Sequence, residues 1–224
     1  MTETLLIFDC DGVLVDSEVL AAKAVSRVLN GYGLEISVRQ ALDRYVGIST
    51  ASMTEMIEAE YACRLPSDFA VRIHENVNEV LEAELVEMTG ANAVLSELSG
   101  LRCIASSSSL RGIRRSLRVT GLDGHFREEA IFSAEMVENG KPSPDLFLHA
   151  AREMDFSVEN CVVIEDSLPG VKGAVAAGMR VIGFAGGSHI RDGHHQRLRT
   201  AGAGLVFDDM HLLPDILANF EVCR

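Results

Sequence analysis

Asp9-Cys10-Asp11-Gly12 follows directly on the apolar run Thr4–Phe8. On an extended segment, residues one apart point to the same side, so Asp9 and Asp11 make a carboxylate pair facing one space. Three further stretches carry comparable side chains. Ser106-Ser107 follows Leu101–Ala105, Lys141-Pro142 comes shortly after Ala130–Ser133, and Glu165-Asp166-Ser167 follows Cys161–Ile164. Carboxylates gathered in one place repel one another unless a cation joins them. Oxygen-only donors beside a phosphate-sized space favour Mg²⁺. One carboxylate of the pair can then attack a phosphoryl group while the other moves protons. Lys141 and the cation would neutralise the anionic target. Ser106, Ser107 and the N–H groups opening the next helix would hold its remaining oxygens. Gly12 lets the backbone turn sharply beside the pair.

Each stretch alone also has an ordinary reading. Asp-x-Asp is common in turns, Lys-Pro in solvated loops, and Glu-Asp-Ser before a helix, where Ser167 is expected as an N-cap. Their succession, each at the end of a strand-like run, is what points to one site.

The elements that must position these groups are legible from periodicity. The five apolar runs Thr4–Phe8, Leu101–Ala105, Ala130–Ser133, Cys161–Ile164 and Arg180–Phe184 read as buried strands, and Leu205–Phe207 reads as a short sixth. Helical patterns fall between them, at about Leu110 onward, Pro144–Met154 and Leu168–Ala177. Alternating strands and helices imply an α/β fold with a parallel sheet covered on both faces. In such sheets ligands bind beyond the carboxyl ends of the strands, where all four stretches lie. Glu18 to about Gly31, and then residues 37–84, show only helical spacing, and read as a small helical bundle. Gly186–His195 reads as a surface loop with solvated histidines.

The 224 residues carry a net charge of −13, which argues against nucleic acid or an anionic membrane as partner. Cys10, Cys63, Cys103, Cys161 and Cys223 show no CxxC spacing, and read as reduced thiols rather than disulfides or a zinc site. No secretory signal or bilayer-length apolar run is visible, so a cytoplasmic protein is expected. It should act as a monomer or weak homodimer.

With FDCDGVLVDSE at Phe8–Glu18, Ser106 closing a strand, Lys141 in GKPSPD and the acidic pair in IEDSLPG, the sequence resembles the haloacid dehalogenase superfamily, in its phosphatase and β-phosphoglucomutase-like branch. The resemblance covers nearly the whole chain. It implies a Rossmann-like three-layer core, residues 1–16 and 86–224, with an inserted α-helical cap, residues 17–85. It implies Asp9 as nucleophile, Asp11 as acid/base, and Ser106 and Lys141 as catalytic partners. It implies Mg²⁺ held by Asp9, the carbonyl of Asp11 and Asp166, with Glu165 acting directly or through water. The substrate would be a small phosphorylated metabolite, such as a sugar phosphate or a phosphogluconate-like acid.

Departures from the family's other chemistries narrow the choice. Dehalogenases lack the second aspartate, which is present here as Asp11. Phosphonoacetaldehyde hydrolases carry a Schiff-base lysine in the cap, for which Lys23 is a weak match. The mutases place a histidine where Ala21 stands, and an arginine after a cap glycine, where this chain has Val46-Gly47-Ile48-Ser49-Thr50. Hydrolysis is therefore expected, with mutase activity or a phospho-Asp9 regulatory module as alternatives. Ser49 and Thr50 are expected either to meet a hydroxyl-rich substrate or to serve only as helix N-caps, and the stretch around Gly47–Ser52 is expected to bind substrate and govern preference for it.

Overall fold

The computed structural model describes residues 4–220, apart from 46, 47 and 49. The chain forms two compact units, one of Met1–Asp16 with Val86–Arg224, the other of Ser17–Leu85.

The larger unit is built on six parallel strands: β1 (Leu5–Phe8), β2 (Arg102–Ser106), β3 (Ile131–Ser133), β4 (Cys161–Glu165), β5 (Arg180–Phe184) and β6 (Leu205–Phe207). Their order is β3-β2-β1-β4-β5-β6, as an α/β fold requires when the chain builds outward from β1 in one direction and then in the other. The strand order therefore reverses at the β1/β4 boundary, where a ligand crevice is expected. β1 and β4 are buried throughout, which is why both read as unbroken apolar runs rather than alternating ones.

Pleat parity sorts the side chains. Leu5 and Ile7 of β1, Cys103 and Ala105 of β2, and Cys161 and Val163 of β4 share one apolar cluster with Phe147, Val171 and Leu198. At about 25 cal/mol per Å² of apolar surface, burying such a layer is the main favourable contribution to the fold. Phe147 belongs to helix Asp145–Glu153, Val171 to Leu168–Ala176 and Leu198 to His194–Ala201. The last of these begins inside the stretch expected to be loop. Two short helices, Ala91–Glu97 and Leu213–Phe220, also belong to this unit. Among the described residues, no helix is long and apolar enough to cross a membrane.

The smaller unit is helical: Glu18–Gly31, Val38–Tyr45, Thr50–Tyr61 and Phe69–Glu84. Ala22, Val25, Leu29, Ile36, Ile57, Phe69 and Ile73 make its core. Asn30 ties the first helix to the following turn, accepting from the Ile36 N–H at 2.9 Å and donating to the Ile36 carbonyl at 3.1 Å.

Candidate active site

Asp9 and Glu165 continue the inward-facing rows of β1 and β4, one pleat beyond Ile7 and Val163. The Asp9 N–H donates to the Ile164 carbonyl at 3.0 Å, which pins Asp9 to the end of β4. Two carboxylates thus stand where the row of apolar side chains ends, both buried. Lys141 supplies the compensating charge. Its Nζ donates to Asp9 Oδ1 at 2.5 Å and to Glu165 Oε1 at 2.7 Å, and its side chain is 4% exposed. The ammonium also lies 5.2 Å from the centre of the Phe147 ring, an aromatic face that favours a cation.

Asp166 completes the acidic group. Asp9, Glu165 and Asp166 each place a carboxylate oxygen within 4.8 Å of the others. One ammonium among three carboxylates leaves an excess of negative charge in a buried place. Burial first, with Glu165, Asp166 and Asp11 adding to it, holds the Asp9 carboxyl well above its ordinary range, against the pull of Lys141. Asp166 is raised by burial and by Glu165, again against Lys141. Burial works against the Lys141 ammonium, but Asp9 and Glu165 outweigh it and hold Lys141 above its usual value. An oxygen-only set whose own lysine leaves it short of positive charge is what a hard divalent cation fits.

Gly12 shows why no side chain is tolerated beside the pair. Its φ is +82°, in the left-handed region, and a Cβ there would lie 2.1 Å from Asp166 Oδ2. Asp11 is half-buried. Its Oδ2 accepts the Ser108 hydroxyl at 2.6 Å. Ser108 is held in turn, since its N–H donates to Ser106 Oγ at 3.1 Å and its carbonyl accepts from Ser133 Oγ at 2.7 Å. Ser106 is buried at the end of β2 and Ser107 is exposed. Glu165 Oε2 accepts the Ser167 N–H at 2.6 Å, while Ser167 caps its helix by accepting from the Gly170 N–H at 3.1 Å.

The structure therefore gathers Asp9, Lys141, Glu165 and Asp166, and ties Asp11 to the serine run. Two features were not read from the sequence. Ser108 stood in a four-serine run whose members differ only in where the loop points them. The loop after β5 is the larger correction. His189 and His194, expected to be solvated, are turned inward. His189 Nε2 lies 3.0 Å from Asp166 Oδ2, and His194 Nε2 lies 2.6 Å from the Asp166 carbonyl. His195 is exposed, as expected.

In the helical unit, Thr50 opens a helix, its Oγ1 3.4 Å from His74 Nε2. Gly47 and Ser49 lie outside the described residues. Lys23 pairs with Glu84 at 2.7 Å, so its ammonium is engaged by a carboxylate rather than held neutral as a Schiff-base lysine must be.

A model of the haloacid dehalogenase-like hydrolases matches residues 6–184. The chain belongs to this family. A 6-phosphogluconate phosphatase of Escherichia coli (strain K12) is 27% identical over 212 residues, 94% of this chain and 93% of that protein. A fructose-1-phosphate phosphatase of the same organism is 34% identical over 180 residues, 79% of this chain and 94% of that one. The crystal structure of a haloacid dehalogenase-like protein of unknown function from Agrobacterium tumefaciens str. C58 superposes with a TM-score of 0.87 at 39% identity, covering 98% of this chain and 99% of that one. The chain is thus a hydrolase of the phosphatase kind within the family.

Proposed function

We propose that this protein is a Mg²⁺-dependent phosphatase acting on a phosphate monoester of a small sugar or sugar acid, with Asp9 as covalent nucleophile. The observation that carries the reading is the bridge of Lys141 between Asp9 and Glu165, with Asp166 alongside. The phosphorylated sugar and sugar acid named for the two relatives support the substrate class.

Asp9, Asp166 and Glu165 would hold the cation, with the Asp11 carbonyl as a fourth donor. When bound, Mg²⁺ offsets phosphoryl charge that would otherwise repel Asp9. Asp9 forms the new bond from a carboxylate oxygen to phosphorus, and the bond from phosphorus to the ester oxygen breaks. Asp11 gives its proton to that departing oxygen. Asp11, now ionised, takes a proton from the water that attacks the phosphorus of phospho-Asp9. The phosphorus–Asp9 bond breaks, releasing inorganic phosphate and restoring both aspartates. Lys141 keeps its proton throughout and holds Asp9 in line. Ser106 and Ser107 would donate to phosphoryl oxygens.

The test is release of inorganic phosphate from a panel of sugar phosphates, phospho-acids and nucleotides, with the organic product identified. Free sugar or sugar acid is expected. An isomerised phosphosugar without net phosphate would establish a mutase, and an unprocessed, long-lived phospho-Asp9 a regulatory module. Retained turnover in Asp9→Asn would overturn the mechanism.

A further inference from the structure

The loop after β5 carries a feature that the acidic cluster alone does not explain. His189 projects from it to Asp166, its Nε2 3.0 Å from Oδ2, with its side chain 15% exposed. As a cation ligand Asp166 would be ionised and could only accept, so Nε2 would carry the hydrogen and donate it. The ring fits against two glycines. A Cβ on Gly187 would lie 2.6 Å from His189 Cε1, and one on Gly12 would lie 3.1 Å from the same atom. The neighbouring residue fixes the loop. Ser188 donates to Asp16 Oδ1 through its N–H at 3.2 Å and its hydroxyl at 2.8 Å. Farther on, the Ile190 N–H donates to the Gly187 carbonyl at 3.0 Å, Ile190 packs on the sheet core, and His194 Nε2 meets the Asp166 carbonyl at 2.6 Å. Asp166 is thus grasped at its side chain and at its main chain by one loop, and that loop is tied to the segment following Asp11.

We infer that His189 is a positioning residue for the cation site: it holds the Asp166 carboxylate in one rotamer, and so sets the affinity for Mg²⁺ without touching the substrate. The inference rests on the reading of Asp166 as a cation ligand. A carboxylate anchored through one oxygen presents the other in a single orientation, and outer partners of this kind typically change metal affinity about 10–100-fold. A surface-loop histidine kept only for solubility would need neither the glycine slot nor the Asp16 tether.

The experiment titrates Mg²⁺ alone by thermal shift, and Mg²⁺ in p-nitrophenyl phosphate turnover, for the wild type, His189→Ala, His189→Gln, His189→Asn and Asp166→Asn. The Ala variant should move both Mg²⁺ midpoints upward about 10-fold or more, with turnover at saturating Mg²⁺ near that of the wild type. Gln carries its amide about where Nε2 stands and should restore most of the affinity. Asn is too short and should not. If the Ala variant fails to fold, the contrast between Gln and Asn decides alone. Unchanged midpoints in Ala, or Gln and Asn equally displaced, would overturn the role of His189. If Asp166→Asn loses the Mg²⁺ response and His189→Ala keeps it, only this inference fails. If Asp166→Asn keeps it, the reading of Asp166 as a ligand fails first.

Discussion

Lys141 Nζ donates to Asp9 Oδ1 at 2.5 Å from a position with 4% of its side chain exposed, so the Asp9 carboxylate and the ammonium form a buried ion pair. A buried pair is a poor source of net stability, yet removing one partner strands the other without water, at a cost of about 3–5 kcal/mol. In this chain the stranded groups would be two carboxylates, because Lys141 also serves Glu165.

Lys141→Met should therefore unfold at lower urea and lose about 10²–10³-fold in turnover, the scale for removing one charged stabiliser of a transition state. Lys141→Arg should recover part of the stability and little of the activity, since a planar fork cannot replace a point charge between two acids. Equal activity for Lys and Arg would show that only charge matters there. Phosphate release and urea midpoints, measured on both variants, decide it.

Ser108 offers a second, independent test. Its hydroxyl donates to Asp11 Oδ2 at 2.6 Å, and a hydrogen bond to a charged group contributes about 1.5–3 kcal/mol. Ser108→Ala should lower kcat about 10-fold or more by that measure, with KM little changed. If Ser108 acts only by orienting Asp11, adding Ser108→Ala to Asp11→Asn should cost nothing further. Additive losses in the double variant would mean that Ser108 has its own contact with substrate.

The contrast between Ser108 and Asp9 shows what a sequence can disclose. β1, β4 and the helix at Glu18 were readable because apolar spacing records which face is buried, and Asp9 and Glu165 follow from strand parity once those strands are placed. Lys141 was readable through its place in the order of motifs. Ser108 and His189 were not, because each reaches its partner across a loop. Ser108 lies 97 positions from Asp11 in the chain, and no local period links them. His189 was misread for a related reason. Its neighbours Gly187 and Gly193 look like loop punctuation, whereas Gly187 leaves the space that the His189 ring occupies.

The buried thiols give a pH prediction. Burial holds Cys103 above the ordinary thiol range and, helped by Glu159, pushes Cys161 up to about 11. An unfolded cysteine titrates near pH 8.5, so above that value the unfolded chain loses protons that the folded chain keeps. Stability from these groups is therefore intact below about pH 8.5 and falls as pH rises toward 11, by about 1 kcal/mol per pH unit for each thiol at the steepest. Urea midpoints from pH 7.5 to 10.5 should show the decline, and Cys161→Val should make it shallower. A slope unchanged by that substitution would place its cause elsewhere.

The acidic cluster yields the last prediction, on metal removal. Asp166 is raised by burial and then by Glu165, so its ionised form is disfavoured in the folded state. A carboxyl raised on folding contributes stability only while protonated, and that contribution is lost as pH rises through its folded-state value. Above that pH, removing the charge should relieve repulsion from Glu165. In chelator, Asp166→Asn should melt above the wild type, by about 2–4 °C for each kcal/mol gained in a chain of this size. Mg²⁺ should reverse the order. At 100 times its dissociation constant it adds about 2.7 kcal/mol to a protein that binds it only when folded, and a variant without the Asp166 carboxylate should gain far less. Melting curves of both proteins in chelator and in excess Mg²⁺ give the four numbers needed. An Asp166→Asn protein that melts lower in chelator would show that its bond to His189 outweighs the repulsion, and an equal gain from Mg²⁺ in both would remove Asp166 from the cation site.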